Sequence, residues 1–521
     1  MKRALFAASA LSLMATVATA ADLHYEGPPS IDADSPALAA PATVGLSFEG
    51  ISQLDTRALN RGFIPPDTNG AIGATQYMEI VNGAHAVYDK VTGVRTSLIS
   101  DTAFWAAAGQ TGAFGDSRVL FDKPTQRWIV VSFAADVANI QIAVSNTSDA
   151  LGGYKSTVFT GVSAGAGSEA DFPSLAIDNK AIYIGTNDFN NASGFLGTTL
   201  NVIAKSDLLG AGAPTVASLK QFFTPFVSTD RGYSIAGVNQ LGNDTGKIIA
   251  ASLLSSNPGD VVRYDITSPG SAGATQGAIT LISLQAADQN PATGSNNPGR
   301  QPDGSRVIDT SDQRIGSNAW EQNGKIYSVH TITPTGTDHT AVAWTVIDAA
   351  TNVLIQEGTI GDLNHDYYMA SMAVNSSGQV VIGYNRSGSG ADGNISFLAS
   401  TFNPTLGGGG ALTLTDTLLL HVSPIDHYHN GSTEFAPPSG RQRWGDYSSV
   451  TVDPNDSESF WVAGEFARPY QSAVSFSRYG TWISQINLAT VPEPATWAMM
   501  LVGFGLMGGF MRRRDRTALA V

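Results

Sequence analysis

The 521-residue chain contains no cysteine. That absence excludes disulfides, thiol nucleophiles and cysteine-ligated zinc. A chain of this length buries enough apolar surface to fold without cross-links. Positive charge is scarce as well: 29 Lys and Arg stand against 44 Asp and Glu, a net charge of −15. An acidic surface repels phosphate backbones, so nucleic acid is not an expected partner. Long amphipathic helical patterns are missing, and so is the G-x-S-x-G turn that presents a hydrolase serine. Apolar runs are few, and the two longest, at the ends of the chain, fall short of the ~20 residues that span a bilayer.

What is present begins at those two ends. Lys2 and Arg3 precede an apolar run from Ala4 to Val17, and Ala18-Thr19-Ala20 places small residues where a signal peptidase reads them. The pattern predicts a cleaved export signal over residues 1–20, cut between Ala20 and Ala21. Residues 21–60, rich in Ala and Pro, read as a lead-in to the folded body. At the other end stands VPEPATWAMMLVGFGLMGGFMRRR, residues 491–514. It holds Pro492, Glu493 and Pro494, an apolar run from Trp497 to Met511, and then Arg512, Arg513 and Arg514. A membrane helix is expected there, with the arginines and residues 515–521 on the cytoplasmic side. The stretch resembles the PEP-CTERM sorting signal of Gram-negative bacteria. That resemblance implies an exosortase as processing partner, cleavage near Pro492–Pro494, and a transient inner-membrane stage. Delivery to the cell surface or a biofilm exopolysaccharide matrix would follow.

The body between 61 and 490 repeats itself. GDSRVLFDKPTQRWIVVSF, DFPSLAIDNKAIYIGTNDF, GSNAWEQNGKIYSVHTI, YMASMAVNSSGQVVIGYN and WGDYSSVTVDPNDSESFWVAGEF share one plan. A short apolar strand meets a polar turn, marked by Asp122, Asp178, Glu321, Asn375 or Asp453, and a second strand rich in Val, Ile and aromatics follows. Weaker copies lie near Ala74 and Asn239. The intervals leave room for two further strands per unit, such as NIQIAVSNT and VRYDITS. Four-stranded units repeated about an axis predict an all-β fold, a β-propeller of seven blades within a range of six to eight. PPDTNG at 65–70, the segment from Gly115 to Trp128, and RWGDYS at 443–448 resemble motifs of a bacterial exported propeller-like family. The resemblance covers most of 60–485 and implies one propeller but no defined activity.

Candidate chemistry is sparse. Asp116, Asp171 and Asp446 each precede an expected inner strand, where carboxylates from different blades can meet at one mouth of the channel. Arg118, Arg231, Arg314 and Arg443 lie near the same edges and are candidates for gripping carboxylated sugars. Each of these residues has an ordinary alternative as a turn cap or an inter-blade hydrogen-bonding group, and Trp128 and Trp444 read as blade core. Asp362, Asn364 and Asp366 have the opening spacing of a calcium loop, but Tyr367 and Ala373 replace its glycine and closing acid. His421, Asp426, His427 and His429 cluster without a third spaced metal ligand, so neither a metal nor a cofactor is expected. SFSRYGTW keeps Ser475, Thr481 and Trp482 of a sialidase box but has Ser477 and Tyr479 in place of its Asp and Gly.

The leading expectation is a non-enzymatic, exported, surface-sorted protein whose channel mouth or rim binds polysaccharide, including exopolysaccharide, or protein; a structural matrix component without a discrete ligand is a further reading. The alternative is a carbohydrate-active hydrolase or lyase using acids at the channel mouth.

Overall fold

Strands dominate because the apolar segments are short, β-branched and bounded by Gly, Asn, Asp and Ser. The computed structural model describes residues 41–489, apart from 135, 164, 166, 191–193, 226–231, 241–245, 252–259, 285–298, 406–410, 431–440 and 470–476. The ends on which the export and sorting expectations rest, with Ala20, Ala21, Pro492–Pro494 and Arg512–Arg514, lie outside the described residues, as does Arg231. Among the described residues no helix is long and apolar enough to cross a membrane.

Strand β1 (Thr43–Ser52) leads through a short helix, α1 (Gln53–Ala58), into the first sheet. That sheet holds β2 to β5, at Asn69–Ile72, Gln76–Val81, Ala84–Asp89 and Arg95–Ser100. Helix α2 (Asp101–Ala107) leads to β6 to β9, at Ala113–Asp122, Arg127–Ala134, Asn139–Ser145 and Tyr154–Thr160. Next come β10 to β14, at Glu169–Asp171, Ala176–Ile177, Ala181–Asn190, Gly194–Ala204 and Lys220–Pro225, with α3 (Lys205–Leu209) before the last. The following sheet is β15 to β19, at Tyr233–Asn239, Lys247–Ala251, Val261–Thr267, Thr275–Gln276 and Thr280–Ile282. A small ribbon, β20 (Gly299–Arg300) with β21 (Arg306–Ile308), intervenes. Then come β22 to β25, at Ala319–Gln322, Lys325–Ile332, Ala341–Asp348 and Leu354–Ile360, whose first strand pairs in parallel with β15 (Val238 opposite Ala319) and so joins the two units edge to edge, and β26 to β29, at His365–Val374, Val380–Gly388, Ser396–Pro404 and Leu412–Val422. The last sheet holds β30 to β32, at Ser449–Val452, Ser459–Pro469 and Ser477–Asn487.

The fourth strand of that last sheet is β1, which pairs antiparallel with β32 and puts Thr43 opposite Asn487. Residues 43–52 thus join the end of the chain to its beginning. Consecutive sheets touch through their first strands (β2 with β6, β15 with β22, β26 with β30), and β30 touches β2, closing a ring. This is the β-propeller arrangement, in which closure removes the open sheet edge. Each hairpin expected from the repeats is found as an antiparallel pair.

The apolar cores lie between neighbouring sheets. Trp128, Val130, Met78 and Ile80 fill the first such layer; Ile129, Ile142, Ile182 and Leu208 fill the next. Second strands such as β7 are buried on both faces, so they read as continuous apolar runs rather than alternating ones. Each fully buried aliphatic side chain there contributes about 1.5–3 kcal/mol. Trp128 and Trp444 are both fully buried, the latter donating its indole N–H to Asn385 at 3.2 Å.

Candidate functional site

The first strand of several sheets carries a kink within it or beside it. Asp67, Asp116, Phe172, Ser234 and Met369 all have positive φ, between 49° and 53°. The pairing slips at the same places in β6, β15 and β26. A bulge of this kind re-aims a side chain that a regular strand would direct at the neighbouring sheet. Side chains other than glycine rarely hold that conformation, and it is retained where surrounding contacts enforce it.

Here the contacts are polar and run from sheet to sheet. Asn82 donates its amide to Asp67 at 2.6 Å and accepts from the Asp116 backbone N–H at 2.9 Å. The Asp446 backbone N–H donates to Asp67 at 2.8 Å. Thr68 donates its hydroxyl to Glu465 at 2.9 Å, and a Cβ at Gly445 would stand 2.6 Å from that same carboxylate. Glycine at 445 is therefore a requirement of close approach.

Two of the kinks carry acids, Asp67 and Asp116, and a third, at Phe172, directly follows Asp171. Asp67, Asp116, Asp171 and Asp446 line one pocket of about 280 Å³, joined by Asp309, Asp312, Arg314, Arg441 and Arg443. Asp116, Asp171, Asp446, Arg314 and Arg443, singled out in the sequence, thus stand together. Asp116 lies within β6 rather than ahead of it, and Asp171 closes the short strand β10. Arg118 is buried beneath the pocket. Its guanidinium lies 3.2 Å from the centre of the Tyr447 ring and 5.2 Å from that of Phe172, and it donates to the carbonyls of Pro173 and Gly316. Arg314 faces the same Phe172 ring at 4.5 Å. One phenyl ring is thereby shared by two cations.

The arginines are already engaged. Arg314 holds both oxygens of Asp312, at 2.7 and 2.8 Å, and donates to the Tyr233 hydroxyl at 2.6 Å. Arg443 donates to Asp446 at 2.9 Å, and Arg441 donates to Asp309 at 2.7 Å. The pocket therefore retains an excess of carboxylates over free cations. Burial, followed by the nearby charges of Asp171 and Asp446, pushes the Asp116 carboxyl up to about 7, with Arg118 opposing. Burial and Asp446 raise Asp171 too, and burial with Asp446 and Asp116 raises Asp67 well above the usual range. Burial would raise Asp312, but Arg314 and the Tyr233 hydroxyl outweigh it and hold that carboxyl low. The pocket thus holds carboxyls pushed up by burial, Asp116 among them, together with Asp312, which its partners hold low.

The other sequence candidates go elsewhere. Asp362 accepts hydrogen bonds within its own turn, from the Asn364 and His365 backbone N–H groups and the Tyr367 hydroxyl. Asp366 is buried against Arg300, at 2.8 Å. The two carboxylates are thus separately committed, and Asn364 meets Asp362 through its backbone N–H. His421 stacks on Trp482, His427 sits 2.7 Å from Asp426, and His429 sits 2.7 Å from Asp303. Among the described residues, no group of three or more His, Asp or Glu is placed to hold a metal ion. Asp67, Asp309 and Asp312 are pocket residues that the sequence reading did not nominate. Only Asp67 had a signal, its place in PPDTNG matching that of Asp116 in FGDSRV.

Residues 490–514 match the family model of the PEP-CTERM protein-sorting motif, so the chain carries that motif. No curated protein matches the chain. Among solved structures it is similar to an α-L-arabinanase of Penicillium chrysogenum, at 8% identity and a TM-score of 0.33, over 84% of this chain and 98% of that one. It is also similar to the extracellular domains 1–2 of Drosophila Semaphorin 1b, at 9% identity and a TM-score of 0.33, over 86% and 87% of the two chains. The endo-arabinase of Bacteroides thetaiotaomicron is similar at 10% identity and a TM-score of 0.28, over 74% and 97%. The ring of sheets rests on the strand pairing itself, not on these likenesses.

Proposed function

We propose that the chain is an exported propeller of seven blades, each four- or five-stranded unit counted as one and the β20–β21 ribbon as none, whose acid-rich channel mouth binds polysaccharide at the cell surface or in the extracellular matrix. The sorting motif supports the destination. In this reading an exosortase cuts near Pro492–Pro494, after the apolar run and Arg512–Arg514 have held the chain in the inner membrane. The observation that carries the binding half is the convergence of Asp67, Asp116, Asp171 and Asp446 in one pocket. Carboxylates accept hydrogen bonds from sugar hydroxyls, and a few placed polar groups in a concave site set orientation. Because Arg314, Arg441 and Arg443 are paired within the protein, the ligand favoured is neutral and hydroxyl-rich, not carboxylated.

A second reading, as a hydrolase or lyase, is favoured by one specific observation. Asp116 is pushed up to about 7 while neighbouring Asp446 is ion-paired with Arg443. A carboxyl raised in this way suits a general acid, the first of the two groups that hydrolysis of a glycosidic bond needs. The producing cell's own exopolysaccharide, passed over immobilised protein, separates the two readings. Retention of polymer of unchanged length, lost in Asp116→Asn/Asp171→Asn, is the expected result. Chain shortening that the same variants abolish would establish the enzyme instead, and no retention by the native protein would defeat the binding reading.

A further inference from the structure

Both ends of the described body leave it at one place, on the face opposite the acid pocket. The first strand of the last sheet, β30, runs from beside Asp446 in the pocket to Val452 and Asp453 at the far mouth of the channel. Strand β31 returns with Phe460 opposite Val452, and β32 descends again until Asn487 faces Ser459. Thr43, where β1 begins, lies opposite Asn487. The exit is pinned in place. The Leu488 backbone N–H donates to the Glu458 carbonyl at 2.8 Å, and the Gln379 side-chain amide donates to the Ala489 carbonyl at 2.9 Å. The apolar run begins at Trp497, so residues 490–496 are all that joins it to the body.

A link of seven residues reaches about 25 Å when fully extended. Strand β32 has 11 residues, and at the rise of a β-strand it is about 37 Å long. The link is therefore shorter than the depth of the sheet from which it hangs. It cannot pass up that sheet and let the opposite face turn down. We infer that, while the C-terminal run is held in the membrane, the face bearing Lys123, Ser376 and Asp453 lies against the bilayer and the acid pocket opens away from it. The inference rests on the membrane-held stage of the sorting reading. Its consequence is that the pocket can take up polymer before the tail is cut, so capture does not wait for release.

The lack of native cysteine makes site-specific labelling clean. Ser376→Cys, in the turn at the far mouth, and Ser389→Cys, in the β27–β28 loop on the pocket side, both replace exposed residues. Each full-length variant, purified from membranes of cells lacking the processing enzyme, is labelled with a donor dye. It is then reconstituted in phosphatidylcholine–phosphatidylglycerol vesicles that carry an acceptor lipid. Energy transfer is expected to be several-fold stronger from position 376 than from 389. Inserting about 45 Gly/Ser residues after Ala489 is expected to bring the two close to equal, because a flexible link of about 50 residues has a root-mean-square reach of about 40 Å, enough to span the sheet. Equal or reversed transfer in the native-length protein overturns the orientation. Vesicle flotation tests the underlying reading separately. If protein lacking 490–521 floats as the full chain does, the tail is not the anchor, and the orientation falls with it.

Discussion

Asp116 concentrates the electrostatics of the pocket. Its carboxyl is pushed up to about 7, so in the folded protein it keeps its proton where an unfolded chain would release it. A folded pKa above the unfolded value means that protonation favours the fold. The group therefore costs nothing below about pH 4 and increasingly destabilises the protein as pH rises towards 7. Asp116→Asn removes that dependence. Thermal or denaturant unfolding at pH 5 and pH 8 is expected to show the variant gaining on the native protein by about 1–2 kcal/mol at the higher pH, after solvent screening in the open pocket. An equal difference at both pH values would show that Asp116 titrates normally. Asp116, Asp171 and Asp446 were legible in the sequence because each sits at a similar offset ahead of a recognisable hairpin. Asp309 and Asp312 were not, since DTSDQR lies between sheets with no repeat to index it. The pairing of Arg441 with Asp309 was also hidden, because those residues are 132 positions apart and meet only through the ring. A guanidinium near a blade edge therefore read as a ligand grip, whereas the fold commits it to a neighbour.

Among the elements, β1 stands apart. Its residues, TVGLSFEGIS, lie far from the last sheet in sequence and read as a lead-in, because a single outer strand has no hairpin partner beside it to give it away. In the ring it covers β32 and packs Ile51 against Ile483 and Trp461. Ser52 then turns the chain towards the channel mouth, its side chain accepting from the Asp55 N–H while Asp55 accepts from the Ser52 N–H at 2.9 Å. Removing the chain through Ser52 exposes that apolar layer and opens a sheet edge. The truncated protein is expected to melt about 10 °C lower or without a cooperative transition, as followed by calorimetry. Melting at the native temperature would mean that the ring holds without this strand. The inner hairpins, by contrast, were readable throughout, since each brings its own turn and its own two apolar strands. The positive-φ kinks could not be read, because Phe, Ser and Met carry no sequence mark of a left-handed conformation and Asp only a weak one.

For the molecule as a whole, sequence periodicity sufficed for the ring because propeller units repeat the same local contacts, and local contacts leave periodic traces. Function is less legible, because the pocket is built from one or two residues of each sheet and the repeat masks them as variations on a turn. The two faces of the ring nonetheless differ in kind. One gathers six carboxyls around a single pocket; the other releases the chain towards its sorting motif. Polysaccharide capture at the first face is the central claim, and the most direct test is to see where a sugar sits. Crystals of the protein soaked with oligosaccharides cut from the producing cell's exopolysaccharide are expected to show sugar density between Asp116, Asp171 and Asp446, with hydroxyls within hydrogen-bond reach of those carboxyls. Density confined to the rim or the outer strands, or an empty pocket at saturating oligosaccharide, would contradict the account.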